Sequence, residues 1–423
     1  MLPLQSAVGM VAILGLAWAM SIRKRAVNWR AIGLGLLLQF ILAVLLTKVP
    51  VVSTAFGKLN GLVIALNDAT RAGTSFVFGY IGGGDVPWTG GGAGAPFVFA
   101  FQSMPLIMII SALSALLFYW NVIPPIVRGF AWVLRRTIGV DGPAGMATTM
   151  NIFLGNVESS LVIRPYLIAE SRAGLFVIMT AGMGMVAGTM MVIYATILEG
   201  LIANPLGQIL TASILAAPGT VVIAFIMVPE DPENLSAARR SEAEVVLPRH
   251  QGDNIMSVIA RGTIDAIPLI LNICAMLIVL IALVTLVNNI IGLFPDVAGA
   301  PLTLQRLFGW VMAPLAWLLG IPWAEATSAG QLLGTKMVLN ELIAYTDLAH
   351  LGPNQLSDRT RLIMTYALCG FANFASIGIT IGGLGAMVPE RRSDIVALAP
   401  KSMISGTLAT CLSGAMIGLL TPG

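Results

Sequence analysis

Two glutamates lie inside apolar stretches, and each has an asparagine close to it in the sequence: Glu158 follows Asn156, and Glu341 follows Asn340. A carboxylate accepts hydrogen bonds from two hydroxyl groups, and an asparagine side chain both donates and accepts. These residue types suit a neutral solute that is rich in hydroxyl groups. An anionic solute would need an arginine cluster, which neither stretch contains. The alternative interpretation of each glutamate is a buried structural acid, but ionisable residues inside membrane segments are usually functional.

The composition of the 423-residue chain indicates a polytopic membrane protein. Hydrophobic residues make up 57% of the chain and charged residues only 10%, whereas soluble proteins carry about 25% charged residues. The net charge of +3 comes without a basic run, so we expect no nucleic-acid partner. Three widely spaced cysteines and two histidines support neither a disulfide scaffold nor a zinc site, and we expect no cofactor.

Eight apolar runs are long enough to cross a bilayer, which needs roughly 20 residues per helix. Their positions are 4–22, 31–49, 95–120, 174–200, 205–228, 264–293, 361–388 and 397–421. The first run lacks a basic leader and continues into Arg23, Lys24 and Arg25, so we do not interpret it as a signal peptide. Alternation of the spans puts most of the 23 basic residues on the side of this triplet. That side is therefore predicted to be cytoplasmic, with both termini outside.

Two further segments, 142–170 and 322–350, are too polar for lipid-facing helices and too apolar for loops. Both flanks of the first lie on the cytoplasmic side of the predicted topology, and both flanks of the second lie outside. Because irregular backbone is tolerated at membrane depth only where protein or a cavity surrounds it, we interpret both segments as re-entrant hairpins. Each precedes a span rich in small residues, so the two halves form an inverted repeat typical of secondary transporters.

Other polar residues near these hairpins have simpler interpretations. Asn373, in the middle of a span, indicates a broken helix that faces the site. Lys336 has two open interpretations, because it could neutralise Glu341 or extend its amine to the membrane interface. Small residues spaced four apart in the spans indicate helix packing more often than ligand contact. Four acidic residues near predicted span ends are expected to be solvated or to cap helices: Glu170, Glu199, Asp265 and Asp347.

Interfacial amphipathic helices are predicted at 126–140 and 302–319. The fold class is therefore an all-α polytopic membrane protein with about eight transmembrane helices, two re-entrant helical hairpins in inverted repeat, and interfacial amphipathic helices. We divide the chain into 1–120 (spans 1–3 and a Gly-rich outer loop at 82–94), 121–228 (an interfacial helix, the first hairpin and spans 4–5), 229–263 (a cytoplasmic connection), 264–321 (span 6 and the outer interfacial helix) and 322–423 (the second hairpin and spans 7–8).

Three segments resemble the signatures of the concentrative nucleoside transporter family: GNVESSLVIRPYL at 155–167, GTKMVLNELIAYTDL at 334–348 and ALCGFANFASIGITIGG at 367–383. The resemblance covers most of the chain from residue 95 onward. It implies a scaffold part, to which spans 1–3 and 6 belong, a moving transport part, and assembly as a homotrimer. The implied function is a symporter of the bacterial inner membrane that imports nucleosides by alternating access, driven by a cation gradient.

The resemblance also implies roles for individual residues. The implied substrate-binding residues are Asn156, Val157, Glu158, Met190, Glu341, Phe371, Asn373 and Ser376. A sodium site, in members that have one, would fall on Asn151, Leu154, Met185 and Val186. Met185 stands where sodium-coupled members carry serine or threonine, and a thioether is a poor ligand for a hard cation. We therefore expect a vestigial sodium site and coupling to protons, with Glu158 as the proton carrier.

Several alternatives stay open. Asn156 and Val157 replace a glutamine and a hydroxyl residue that the family usually carries, which leaves the preference between pyrimidine and purine nucleosides undecided. Main-chain carbonyls and water could complete a sodium site, so sodium coupling is the second hypothesis. A cation-coupled transporter or a channel for another neutral polar solute is the third. An enzyme is not expected, since the chain has no HExxH, GxSxG or aspartate-rich motif.

Overall fold

The computed structural model of the protein describes residues 2–85, 98–231, 254–297, 299–352 and 355–422. Within these ranges the regular structure is helical, and the one extended pairing is an isolated bridge between Val297 and Ala300. The predicted all-α fold class is therefore confirmed. Most of the predicted Gly-rich loop (86–94) and most of the predicted cytoplasmic connection (232–253) lie outside the described residues.

The described helices follow the chain in two series. Up to residue 231 they are α1 (Leu2–Ala19), α2 (Trp29–Lys48), α3 (Pro50–Phe78), α4 (Phe99–Gln102), α5 (Leu106–Tyr119), α6 (Ile123–Thr137), α7 (Gly142–Met150), α8 (Asn156–Val162), α9 (Arg164–Leu167), α10 (Arg172–Gly184), α11 (Gly188–Ile197) and α12 (Pro205–Met227). From residue 254 onward they are α13 (Ile255–Ile291), α14 (Leu304–Leu318), α15 (Trp323–Val338), α16 (Glu341–His350), α17 (Asp358–Leu368), α18 (Phe374–Met387) and α19 (Arg392–Leu420). Short 3-10 helices lie at Lys24–Ala26, Gly79–Gly82 and Pro389–Arg391.

Seven helical segments among the described residues are long and apolar enough to cross a membrane: α1, α2, α4 with α5, α10 with α11, α12, α13, and Pro389–Leu420. They correspond to seven of the eight predicted spans. The eighth, 361–388, is divided into α17 and α18 by a break at 369–373. The pair α14 and α15 passes the same test but bends by 120°. This bend separates the outer interfacial helix from the first arm of the second hairpin.

Helix α3 was not predicted from the sequence. It fills the stretch between the second span and the Gly-rich segment, where Asn67, Asp68 and Arg71 lower the hydropathy below that of a membrane span. The carboxyl end of α3 is tied to the residues that follow it. Arg71 Nε donates a hydrogen bond to the Gly83 carbonyl at 3.0 Å, and Thr74 Oγ1 donates to the Gly82 carbonyl at 2.8 Å.

Burial divides the spans into an inner and an outer group. In the most apolar 18-residue window of α10 with α11, 89% of the residues are buried. In the corresponding window of α13, only 6% are buried. The last helix, α19, lies at the centre and packs against α1, α10, α12 and α17. Helices α1, α2 and α13 leave most of their apolar side chains exposed or half-buried. The inner group therefore carries its own polar and small residues at its centre, while the outer group offers apolar surface.

The structure shifts the bounds of the first interfacial helix and the carboxyl-terminal bound of the predicted connection. Helix α6 buries Val127 and Leu134 and exposes Arg128, Arg135 and Arg136, which is the amphipathic pattern expected. The predicted connection reaches residue 263, but α13 begins at Ile255. A capping box formed by the side chains of Asn254 and Ser257 starts that helix, so residues 255–263 belong to it.

Candidate functional site

Glu341 lies at the tip of the second hairpin, as the first residue of α16. Asn340 caps this helix by accepting a hydrogen bond from the Ile343 amide at 3.0 Å. The Glu341 side chain is buried. Its Oε1 accepts a hydrogen bond from Tyr194 Oη at 2.6 Å, and its Oε2 accepts one from Asn373 Nδ2 at 3.4 Å. Both carboxylate oxygens therefore have partners that hold the group in one orientation.

The break between α17 and α18 brings the predicted residue Asn373 against this carboxylate. Asn373 is the N-cap of α18, and its Oδ1 accepts a hydrogen bond from the Ser376 amide at 2.8 Å. Both residues are buried, and Phe371 is half-buried in the same break. The amino-terminal end of α18, whose first amides have no partner within the helix, therefore begins beside Glu341.

The tip of the first hairpin packs against the same helix. Asn156 begins α8, and its Nδ2 donates a hydrogen bond to Thr380 Oγ1 of α18 at 3.1 Å. A Cβ added to Gly182 of α10 would lie 2.0 Å from Asn156 Oδ1, so only glycine admits the amide there. Val157 lies close to Gly383 of α18, where an added Cβ would be 3.0 Å from its Cγ2. Both hairpin tips therefore contact α18.

Glu158 differs from Glu341 in its surroundings. It lies in the first turn of α8, and its side chain is exposed. The carboxylate turns back toward the tip, since a Cβ added to Gly155 would lie 2.1 Å from Glu158 Oε2. It makes no side-chain hydrogen bond or ion pair with the residues that the structure describes. Of the predicted site, this is the acid that solvent or a ligand can reach directly.

The residues predicted for a vestigial sodium site come from two breaks. Asn151 follows α7, and its Nδ2 donates to the Ala181 carbonyl at 2.8 Å, while its buried Oδ1 has no hydrogen-bond partner. Met185 and Val186 are fully buried in the extended stretch between α10 and α11. Leu154 is half-buried at the hairpin tip.

These two breaks touch each other. A Cβ added to Gly188 would lie 2.8 Å from the carbonyl oxygen of Phe153, so the hairpin tip and the start of α11 are in main-chain contact. Among the described residues, no group of three or more histidines, cysteines or acids could hold a metal ion. A cation at this point would therefore depend on Asn151 Oδ1 and on main-chain carbonyls.

Helix α11 supplies one predicted residue and one that the sequence analysis missed. Met190, predicted to border the site, is buried. Tyr194 lies four residues later, on the same face of the helix, and donates to Glu341. Its ring packs on that of Tyr345 with centroids 4.9 Å apart. A tyrosine hydroxyl in an apolar helix was the available signal, but its partner is 147 residues away in the sequence.

Lys336 does not reach the interface, and its charge acts on Glu341 without a direct bond. Its side chain is completely buried, so the amine does not extend to the interface. Nζ donates hydrogen bonds to the Ala367 carbonyl at 2.8 Å and to Thr410 Oγ1 at 2.9 Å. Within the described residues it forms no ion pair with Glu341. Lys336 instead ties the carboxyl end of α17, just before the break, to α15 and α19.

Comparison with known proteins gives consistent matches over the chain. Three family models match. The model described as "Na+ dependent nucleoside transporter N-terminus" matches residues 8–81, and the one described as "Nucleoside recognition" matches residues 100–201. The model described as "Na+ dependent nucleoside transporter C-terminus" matches residues 208–418. The Helicobacter pylori protein named nucleoside permease NupC is 34% identical over 420 residues, covering 98% of this chain and 97% of that protein. Human sodium/nucleoside cotransporter 1 is 31% identical over 434 residues, 99% of this chain and 64% of the human protein.

A solved structure extends this similarity to three dimensions. The structure of CNTnw in an inward-facing substrate-bound state is 33% identical, with a TM-score of 0.87 and coverage of 99% of this chain and 98% of that one. The family consists of cation-coupled nucleoside transporters and is not an enzyme family. The apolar spans and the bacterial permease relatives place the protein in the inner membrane as a multi-pass protein. The chain is a bacterial member of the concentrative nucleoside transporter family.

Proposed function

We propose that this protein is a proton-coupled nucleoside symporter that imports its substrate by alternating access. The observation that carries the proposal is the contact of both hairpin tips with α18, through Asn156 on one side and Glu341 with Asn373 on the other. In transporters with inverted repeats, the site lies between such elements and is exposed to one side of the membrane at a time. The two hairpins are the elements that would open and close around the substrate.

The second hairpin and the break before α18 form the ribose side of the proposed site. Glu341 accepts hydrogen bonds from the two ring hydroxyls of the ribose, since a carboxylate has about four acceptor positions and the protein occupies two. Asn373 and Ser376 complete this side with an amide and a hydroxyl. Tyr194 acts as a positioning residue, because it holds the carboxylate of Glu341 without needing to touch the ribose.

The first hairpin forms the base side. Asn156, Val157 and Glu158 present an amide, an apolar face and a carboxylate to the edge of the base, while Met190 and Phe371 border its faces. Asn156 is shorter than a glutamine and is bonded to Thr380. This combination leaves more room at the tip, and both uridine and adenosine are therefore candidate substrates.

The proposed coupling ion is the proton, with Glu158 as its carrier. The Glu158 carboxylate is exposed and makes no bond with the described residues, so it can take up a proton from water without breaking a contact. Closing the site over a charged carboxylate costs free energy, because the charge loses its water. Protonation of Glu158 removes this desolvation cost. Proton and nucleoside would then favour each other's binding. Met185, a thioether beside the vestigial ion position, weighs against a sodium site.

One observation favours sodium coupling as the second candidate. The buried Oδ1 of Asn151 has no partner, and buried polar atoms without a partner are uncommon in folded proteins. A sodium ion held by this oxygen and by main-chain carbonyls of the adjacent break would satisfy it. The two candidates differ in which gradient drives uptake.

The proposed assembly is a homotrimer built through the outer helices. Spans 1–3 and α13 form the scaffold in this proposal, and the hairpins with α10–α12 and α17–α19 form the transport part. The support is the exposed apolar surface of α13, a 37-residue helix whose most apolar 18-residue window is only 6% buried in the monomer. Lipid or neighbouring subunits must cover such a surface. Cross-linking of the purified protein in membranes tests the trimer.

The experiment that tests the function is uptake of labelled uridine and adenosine into proteoliposomes, with proton and sodium gradients imposed separately. Accumulation driven by protons alone supports the proposal, and accumulation that requires sodium supports the second candidate. Glu158→Gln should still equilibrate the nucleoside across the membrane but should not accumulate it when a proton gradient is imposed. Glu199→Gln, which changes an exposed acid, is the control and should resemble the wild type. Equilibration without accumulation in the wild type would indicate a channel instead.

A further inference from the structure

The two ends of the first hairpin meet at a pair of carboxyl groups. Asp141 precedes the hairpin and caps α7 by accepting a hydrogen bond from the Ala144 amide at 3.2 Å. Glu170 ends the hairpin, one residue before Ser171, which caps α10. From the sequence we expected Glu170 to be solvated or to cap a helix, but only 6% of it is exposed. That expectation was wrong because the fold brings the two hairpin ends together.

The surroundings of the Glu170 carboxyl are acidic. Helix α7 packs along α10, with Asn151 bonded to the Ala181 carbonyl, and this packing brings the Asp141 side chain at its start next to Glu170. Glu230, which follows α12, is also close, and it accepts a hydrogen bond from Ser171 Oγ at 2.7 Å. Glu170 Oε1 is buried without a partner. Within the described residues, no lysine or arginine nitrogen forms an ion pair with the Glu170 carboxyl.

The arginines around the hairpin base serve other groups, and Arg23, beside Glu230, pairs with Asp231 at 2.6 Å. Arg391, in the short helix before α19, donates to the main-chain carbonyl of Glu170 at 2.7 Å, and its Nε pairs with Asp394 at 3.0 Å. Arg172 also lies toward Asp394, at 3.9 Å. The charges of these two arginines are therefore directed to Asp394 and to main-chain oxygen, and the Glu170 carboxyl has no cation of its own.

Two carboxyl groups that share a buried site favour holding a proton between them, because two carboxylates have only acceptors and their charges repel. Burial, the Asp141 side chain and the charge of Glu230 raise the pKa of Glu170 to about 11. At neutral pH its carboxyl is therefore protonated and donates to Asp141. Burial likewise raises the pKa of Glu230 above its usual range.

We propose that Glu170 is a proton-binding residue that fastens the two ends of the first hairpin through Asp141, and that loss of this proton to the cytoplasm loosens the hairpin base. The proton joins the start of the hairpin to its end, so the hairpin can move as one body while it is bound. When the base becomes hydrated, the charged form is favoured and the two like charges repel. This site is separate from the tip, where Glu158 is the proposed carrier.

The sign of the pH effect follows from linkage. The pKa of Glu170 in the folded protein lies above that of an ordinary glutamate, so folding takes up a proton. The stability that it contributes is fully present below the ordinary pKa and is lost as the pH rises through the pKa in the folded protein. Glu170→Gln keeps a neutral hydrogen-bond donor and removes the titration. Glu170→Gln should therefore be more stable than the wild type at alkaline pH, and the stabilities of the two proteins should become equal at acidic pH.

Infrared spectroscopy of the purified full-length protein at neutral pH tests the proton directly and needs no substrate. The difference spectrum between wild type and Glu170→Gln should contain the carbonyl stretch of a protonated carboxyl that shifts in heavy water. Glu390→Gln, an exposed acid on the same predicted face, should lack this band and give only carboxylate bands. Only carboxylate bands in the Glu170→Gln difference would overturn the proposal. Thermal unfolding as a function of pH is the second readout. If wild type and Glu170→Gln lose the same thermal stability at alkaline pH, the proposal is also overturned.

Nucleoside counterflow at equal pH on both sides tests the consequence for transport, and this readout rests on the proposed function. The wild-type rate should change severalfold between neutral and alkaline pH, and Glu170→Gln should lose most of that change while Glu390→Gln keeps it. An unchanged pH profile in Glu170→Gln would contradict a role in hairpin movement. Absence of counterflow in the wild type would instead count against nucleoside transport, while the infrared result would still decide the proton site.

Discussion

The two hairpins carry the same residue types at their tips, but they hold their glutamates differently. On the second hairpin, Glu341 is buried, and Tyr194 and Asn373 occupy both of its oxygens. On the first hairpin, Glu158 is exposed and makes no hydrogen bond or ion pair with the described residues. One carboxylate is fixed before any ligand arrives, and the other is free to respond to one.

This difference indicates that the two hairpins have different roles in transport. A preorganised group binds its ligand without a further loss of side-chain freedom, which favours affinity. A free carboxylate can change its charge or its rotamer during the cycle, which favours coupling. We therefore expect changes on the second hairpin to affect substrate affinity most, and changes around the first hairpin to affect ion dependence and opening.

The largest expected effect is that of Glu341→Gln. The substitution removes the charge that Tyr194 and Asn373 hold and that two ribose hydroxyls would use. Losing hydrogen bonds to a charged group should cost about 2–3 kcal/mol, roughly a 30- to 150-fold loss of apparent nucleoside affinity. Isothermal titration with uridine and adenosine measures it. Glu199→Gln is the exposed control, and an affinity within twofold of wild type in Glu341→Gln would remove the ribose assignment.

Tyr194→Phe should have the next largest effect, because it removes one donor and leaves the Glu341 carboxylate in place. We expect a loss of about 1.5 kcal/mol, roughly tenfold in KM, with little change in the maximal rate. The matched control is Tyr345→Phe, which removes a hydroxyl bonded to the Thr365 carbonyl at 2.7 Å in the same aromatic pair. If both variants raise KM equally, Tyr194 acts through packing and not through Glu341.

The sequence predicted these two hairpins because an acid with amides inside an apolar stretch is rare enough to be informative. It also predicted the break at Asn373, since a side chain that caps a helix was placed in the middle of a span. Helix α3 could not be found in this way, because its polar residues remove the hydropathy signal. Burial of Glu170 was missed for another reason. It depends on Asp141 at the other end of the hairpin, and sequence spacing does not report that contact.

The sequence also did not show which side chains bond to each other at the site. Asn156 was identified through a resemblance, but its partner Thr380 looked like one of several small polar residues in an apolar helix. Lys336 was placed correctly in the hairpin, yet its hydrogen bonds go to Ala367 and Thr410 and not to Glu341. Periodicity reports which face of a helix is apolar, but it does not report which helix lies opposite.

Met185→Ser tests whether the ion position beside the first hairpin can be restored. The hydroxyl would add an oxygen near Asn151, whose Oδ1 lacks a partner. One added ligand should contribute about 1 kcal/mol, roughly fivefold in sodium affinity. Uptake under a sodium gradient should therefore increase in this variant. Met185→Ala leaves a similar cavity without the hydroxyl and is the control, so an equal sodium response in both would exclude ligation by the new oxygen.

The smallest expected effect is that of Thr380→Val, which removes the acceptor of Asn156 without changing the shape of the site. The bond joins two neutral groups at 3.1 Å, so its loss should cost about 0.5–0.9 kcal/mol, roughly a two- to fourfold fall in apparent affinity. Thr407→Val is the control, because Thr407 Oγ1 bonds only to a carbonyl of its own helix, that of Met403, at 3.0 Å. Binding of uridine and adenosine should be compared in each. If Asn156 reads the base, the ratio of the two affinities will change in Thr380→Val, whereas an equal loss for both nucleosides would mean that the bond only holds the first hairpin closed.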